Sequence, residues 1–342
     1  MKPELSVVIP AYNRPEALEF TLKNLAKALQ NIDHELIIVD DGSEPSLKEC
    51  VPFPPSLNCF FLEQKNQGSA VARSKGILNS KGRFIFLTDS DDMIEPLKLK
   101  DHLELMKKTP CIISYSDQGL AKVSDSFQNV EVFDKIAMPS STPLHQLLIE
   151  SDLCSNNLVF DGKVLRQAIE NPLIEPDHRF ALAGDYWVYY NLLRFDGTAE
   201  KVKDVYCYHC QHGDQVTSHW EPLGFSGQAL CESLIDKLER VANRDGVEES
   251  LSRIIMKSYR KLPNQFHQGF EDRKIRSWKQ LPKLENSEYG GKLFCALAYL
   301  FGPIKAAKTL RLIQRPGYDE IPTIDQELLH QSYKKHFPDS AL

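Results

Sequence analysis

The sequence predicts an α/β protein built on a largely parallel sheet, and three observations carry that prediction. Short β-branched or aromatic runs alternate with longer stretches of helical period through the first third of the chain. The strand-like runs are nearly continuous in apolar residues, as in strands covered on both faces. Three of the first four end in polar clusters, at the strand edge where open α/β sheets bind their ligands.

Leu5 to Ile9 (LSVVI), Glu35 to Val39 (ELIIV), Asn58 to Leu62 (NCFFL) and Arg83 to Leu87 (RFIFL) read as the strands. Between the first two, Pro15 to Gln30 places Leu18, Leu22, Leu25, Ala26 and Leu29 at three- and four-residue spacing, with Pro15 in a first turn that tolerates it. Gln67 to Ser80 and Pro96 to Lys108 predict two more helices. From Cys111 to about His219 the pattern is mixed, with a strand at Cys111 to Tyr115, helices at Thr142 to Glu150 and after Gly184, and a strand at Val202 to Tyr208. Beyond Trp220 the chain reads as helical to Gln314, followed by a polar, Pro-punctuated tail.

The 342 residues, 42% apolar and 26% charged, are enough for a sizeable core and for about two domains. A net charge of −6 excludes a nucleic-acid binder that relies on broad phosphate attraction. The longest apolar run, Leu293 to Phe301, is nine residues, against the roughly 20 that a spanning helix needs. No signal-peptide pattern follows Met1, so the expected location is the cytoplasm. The eight scattered cysteines are expected to be reduced thiols.

The polar clusters are Pro10-Ala11-Tyr12-Asn13-Arg14, Asp40-Asp41-Gly42-Ser43 and Asp89-Ser90-Asp91-Asp92. Asp, Asn, Gly and Ser also populate turns for backbone reasons, and Asp41-Gly42 taken alone reads as a turn. Three carboxylates within four residues repel one another and call for a cation. Oxygen-only ligands with no nearby Cys or His suit Mg²⁺ or Mn²⁺, ions that commonly bind substrate phosphates as well. Glycine-rich phosphate cradles are missing, which leaves Arg73 and a downstream histidine to meet phosphate charge beside the metal.

Cys207-His209-Cys210-His212, with His219 nearby, has zinc-type ligands. A strand there would send Cys207 and His209 to one face and Cys210 to the other, so a zinc site is not expected. Lys292 to Arg315 joins an apolar run to five basic residues. It reads as a helical element packed on the main domain, with contact to the cytoplasmic face of a membrane as the alternative.

These motifs resemble those of the family 2 glycosyltransferases, inverting nucleotide-sugar enzymes of the GT-A fold. The matching stretches are VVIPAYNR (Val7 to Arg14), VDDGS (Val39 to Ser43), NQGSAVARSKGI (Asn66 to Ile77), FLTDSDD (Phe86 to Asp92), AGDYWVYYNLL (Ala183 to Leu193) and, more loosely, YHCQHGDQVTS (Tyr208 to Ser218).

The resemblance implies a GT-A type mixed sheet with a donor-binding half over 1–110, an acceptor-binding half over 111–220 and a helical extension over 221–342. It implies that Pro10, Tyr12 and Asp41 floor the nucleotide base, that Asn66 and Arg73 lie near base or ribose, and that Asp89 meets the ribose with Ser90 beside it. Asp91, with Asp89, would hold Mn²⁺ or Mg²⁺. His212 and Ser218 would lie in a loop over the donor diphosphate, and Asp185 would be the catalytic base. Many members carry Glu-Asp where this chain has Gly184-Asp185.

The implied function is transfer of a sugar from a nucleotide-diphosphate donor, UDP favoured, to a hydroxyl of a glycan or lipid-linked glycan. A non-catalytic nucleotide-sugar-binding module is the first alternative. A metal-dependent phosphohydrolase is the second, disfavoured because that chemistry places its D-x-D after the first strand.

Overall fold

The computed structural model describes residues 2–124, 126–212, 220–261 and 286–314. Its centre is a nine-stranded mixed sheet in the order β3-β2-β1-β4-β8-β6-β9-β5, with β7 paired to β6. The first four strands are β1 (Leu5–Ala11), β2 (His34–Asp40), β3 (Cys59–Glu63) and β4 (Phe84–Leu87). They are parallel to one another, linked by α1 (Pro15–Ala28), the short α2 (Leu47–Cys50) and α3 (Ser69–Asn79).

Side chains alternate across this sheet, and the two faces feed two cores. Val7, Ile9, Leu36, Ile38, Phe84 and Phe86 point toward Leu18, Leu22 and Leu25 of α1 and Leu99 and Leu103 of α4 (Lys98–Lys108). Val8, Ile37, Val39, Ile85 and Leu87 face the other way, against Ala72 and Ile77 of α3 and a larger cluster that includes Trp187. Gly76 is required by this packing, because a Cβ there would stand 2.3 Å from Val8 Cγ1.

Beyond β4 the sheet becomes mixed. β5 (Met93–Ile94), β6 (Ile113–Val123), β7 (Val130–Ile136), β8 (Val159–Asp161) and β9 (Ala199–Gln211) complete it. β4 pairs antiparallel with β8, β8 with β6, and β6 runs parallel to β9. The helices here are α5 (Leu144–Glu150), α6 (Gly162–Glu170) and α7 (Gly184–Leu192). α8 (Trp220–Ile235), α9 (Arg244–Lys261), α10 (Asn286–Phe301) and α11 (Pro303–Gln314) follow. The polar tail beyond Gln314 lies outside the described residues.

The structure departs from the sequence expectation at five places, the first being the short α2, which was not anticipated. β3 is not covered on both faces: it is an edge strand of the sheet, bonded only to β2, and Phe60 is 48% exposed. β6 and β9 are longer than their apolar cores suggest, because their pairing carries polar residues such as Gln118 and Lys201 along with it. β5 and β8 are too short, at two and three residues, to show any periodicity. β7 is exposed at every position and α6 was not anticipated, although Asp161 caps α6 by accepting from the Lys163 and Val164 N–H groups.

Candidate active site

The order β3-β2-β1-β4 reverses direction between β1 and β4, so the loops after β1, β2 and β4 gather beyond their carboxyl ends. Asn13 links the first two loops. Its backbone N–H donates to Ser43 Oγ and its side-chain oxygen accepts from the Glu44 N–H, both at 2.9 Å. Asp40 is spent on the turn itself, accepting from the Ser43 and Leu47 N–H groups at 2.9 Å each.

Asp41 is 4% exposed. Its Oδ1 accepts from Gln64 Nε2 at 2.7 Å and from the Gln67 N–H at 2.9 Å, and its Oδ2 accepts from the Gly68 N–H at 2.9 Å. Burial pushes its pKa up, and these hydrogen bonds pull it part of the way back. Gly42, at φ +86°, lets Asn66 come close, since a Cβ would stand 2.9 Å from the Asn66 nitrogen. Asn66 is buried, and neither end of its side-chain amide meets a partner among the described residues. Buried polar atoms of this kind are normally satisfied by a bound molecule or water. Pro10 is buried at the end of β1 and Tyr12 follows it half-buried.

The acidic turn after β4 divides its three carboxylates between outside and inside. Asp92 faces inward, 1% exposed. Its Oδ1 accepts from the Cys210 N–H at 3.1 Å and its Oδ2 from Ser155 Oγ at 3.2 Å, with His209 Nδ1 3.6 Å away. Burial raises its pKa to about 6, while His209 acts against that rise. The hydrogen bond to Asp92 lifts His209 in turn to about 9, against the opposing effect of burial.

Asp91 faces outward, between Arg14 Nη1 at 2.9 Å and His212 Nε2 at 3.0 Å. Burial pushes its pKa up, but His212 and Arg14 outweigh that and the net direction is down. Phe127 packs against the His212 ring with centroids 5.1 Å apart. Ser90 is buried between these carboxylates.

The buried guanidinium of Arg73, on α3, pairs with Asp89 and, at 2.6 Å, with Asp185 at the start of α7. Burial opposes its charge, but the two carboxylates more than restore it, and Arg73 stays cationic. Asp185 remains 25% exposed. Burial of its surroundings raises its pKa to about 7, with Arg73 pulling the other way. Gly184 is what allows this approach. A Cβ there would meet Ser69 Oγ at 2.5 Å and Arg73 Nη1 at 2.6 Å.

Carboxylate oxygens of Asp89, Asp91 and Asp92 lie within 4.8 Å of one another, an all-oxygen set that fits a hard divalent ion. Protein groups engage all three, and they differ in access: Asp92 is buried, whereas Asp89 and Asp91 stay partly exposed. Cys207 and Cys210 are buried free thiols and join no metal-type cluster among the described residues.

Of the residues singled out in the sequence, the fold brings Asp41, Asn66, Arg73, Asp89, Ser90, Asp91, Asp185 and His212 to this edge. Ser218 lies outside the described residues. Sequence reasoning missed the support of the acidic turn by Arg14, Ser155 and His209. Arg14 could have been found from its place in the first polar cluster; Ser155 had no signal.

Residues 6–129 match the sequence profile described as "Glycosyl transferase family 2". The match covers 124 of the 342 residues. A protein of Bacillus subtilis strain 168 described as "Putative teichuronic acid biosynthesis glycosyltransferase TuaG" is 34% identical over 124 residues, 35% of this chain and 48% of that protein. The chain thus spans half or less of the first curated relatives it matches.

Among solved structures, S. aureus TarS 1–349 in complex with UDP-GlcNAc superposes with a TM-score of 0.62 at 15% identity, over 93% of this chain and 92% of that one. A mannosyltransferase from Pyrobaculum calidifontis, in complex with GDP-Man and Mn²⁺, gives 0.52 at 15% identity over 99% and 89%. The fold is the GT-A type mixed sheet flanked by helices, with a helical C-terminal part.

Proposed function

We propose that this chain is an inverting glycosyltransferase that moves a sugar from a nucleotide-diphosphate donor, a UDP-sugar, to a hydroxyl of a glycan or lipid-linked glycan. The observation that carries this reading is the buried Arg73, which ties the donor-side carboxylate Asp89 to Asp185 across two separate segments. TarS, the similar structure with UDP-GlcNAc, favours UDP as the nucleotide.

On this reading the unpartnered Asn66 amide and the Asp41 pocket receive the base, with Pro10 and Tyr12 as its floor. Asp89 and Ser90 meet the ribose, and Asp91 with Asp89 would hold Mn²⁺ or Mg²⁺. When bound, such an ion supplies Lewis-acid stabilisation of charge on the leaving diphosphate. His212 and Arg14 stand beside Asp91, where they also face that negative charge.

Asp185 takes the proton of the acceptor hydroxyl as its oxygen forms a bond to the anomeric carbon. The bond from that carbon to the diphosphate oxygen breaks on the opposite face, and a single displacement inverts the configuration. A pKa near 7 keeps Asp185 basic enough to accept the proton, about half ionised at neutral pH and mostly ionised above it. The missing acidic neighbour at Gly184 favours a second reading, a nucleotide-sugar-binding module without catalysis. It differs from the first only in whether sugar is transferred.

Thermal denaturation with UDP, GDP, dTDP and CDP, each with and without Mn²⁺, tests the reading on the full chain and on Asp91→Ala. A ligand at about 100 times its Kd adds roughly 2.7 kcal/mol. The expected result is metal-dependent stabilisation by UDP, lost in the variant. Stabilisation by none of the four nucleotides would overturn it.

A further inference from the structure

Six of the thirteen large apolar side chains exposed among the described residues lie in the hairpin of α10 and α11: Leu293, Tyr299, Leu300, Phe301, Leu312 and Ile313. The hairpin already has a core of its own, where Phe294 and Ala298 meet Ala306 and Leu310 across the Gly302 turn. The six exposed side chains are not among the residues of that core and remain open to solvent. Leu293 and Leu300 fall one above the other on α10, seven residues apart, and Leu300 and Phe301 lead directly into the turn. On α11, Lys305, Lys308 and Leu312 share one stripe, with both lysines exposed.

The charge of this segment runs against that of the chain. Residues 292–315 carry five basic and no acidic residues, although the whole chain has a net charge of −6. We propose that the α10–α11 hairpin docks on an anionic lipid surface, its exposed leucines and Phe301 entering the interface and Lys292, Lys305 and Lys308 meeting lipid phosphates. A second copy of the chain is the less suitable occupant, because two such faces would bring lysine against lysine. At 16 and 12 residues, neither helix is long enough to span a bilayer, so the contact is peripheral.

The packing joins this surface to the acceptor side of the site. The hairpin rests on α9, α9 on α5, and α5 on α7, the helix that begins beside Asp185. Docking would thus hold the candidate base close to acceptors carried by lipid. That consequence rests on the glycosyltransferase reading, whereas the lipid contact itself does not.

Co-sedimentation of the full chain with vesicles tests the contact, using phosphatidylcholine alone and phosphatidylcholine with about one-third phosphatidylglycerol, each at low and high salt. Binding is expected only to the anionic vesicles and should weaken with salt. Lys305→Glu/Lys308→Glu should weaken it by about fivefold or more per charge. Leu300→Ser/Phe301→Ser should weaken it about tenfold or more. All four side chains are exposed, so both variants should keep the wild-type melting temperature.

No binding to anionic vesicles, or binding that both variants leave intact, overturns the proposal. So does a dimer in light scattering that Leu300→Ser/Phe301→Ser converts to monomer, which would give the face to a second copy. Stabilisation by UDP, measured on the same preparations without vesicles, reports separately on the glycosyltransferase reading.

Discussion

Arg73 and Asp185 form an ion pair of 2.6 Å although they belong to different helices, and the same guanidinium also pairs with Asp89. One buried cation therefore sets the spacing and the charge of two carboxylates assigned to different tasks. A buried group of this kind is costly to disturb, because removing one partner strands the others.

If Asp185 is the base, Asp185→Asn keeps the shape of the site and removes its proton acceptor. Transfer should fall by roughly a hundred- to ten-thousand-fold, while UDP affinity measured by calorimetry stays near that of the wild type. Normal transfer by this variant would rule out the assignment.

The pH profile follows from the same residue. Asp185 accepts a proton only when ionised, so kcat/KM should rise with pH up to about 7 and level off above it. Arg73 lowers the Asp185 pKa, so Arg73→Lys, which cannot bridge both carboxylates in the same way, should move the rising limb to higher pH.

Gly184→Ala tests the close approach directly. The added methyl would meet Ser69 Oγ and Arg73 Nη1 well inside contact distance. The variant should lose roughly 1–3 kcal/mol in denaturant unfolding and lose transfer activity as Arg73 is displaced. A fully stable and active Gly184→Ala enzyme would show that this contact is not needed.

His209 should leave a mark on the pH dependence of stability. Its folded-state pKa, about 9, lies above the ordinary value of 6.5, so its contribution is complete below about 6.5 and disappears as pH rises through about 9. His209→Asn should therefore be less stable than wild type at pH 6, and the two melting curves should converge toward pH 9. A difference that stays constant across this range would mean that His209 acts through packing and not through its charge.

The parallel strands, α1 and α3 between them, the acidic turn and the Gly184-Asp185 pair were legible in the sequence, whereas the short α2 was not. Their signals are local: apolar runs, three- and four-residue spacing, and charges crowded within four positions. The edge status of β3 and the polar extension of β6 and β9 were not legible, because they depend on which strands become neighbours. The same holds for the site's contacts. His212 reaches Asp91 across 121 positions and Ser155 reaches Asp92 across 63. A local pattern reports what a segment can become, whereas these pairings arise only when burial of the two apolar cores brings distant segments to one edge. Thus the sequence by itself determined which residues carry charge at the strand ends. Only the tertiary structure decided that Arg73 would stand between Asp89 and Asp185, and that Asp92 would face inward as support.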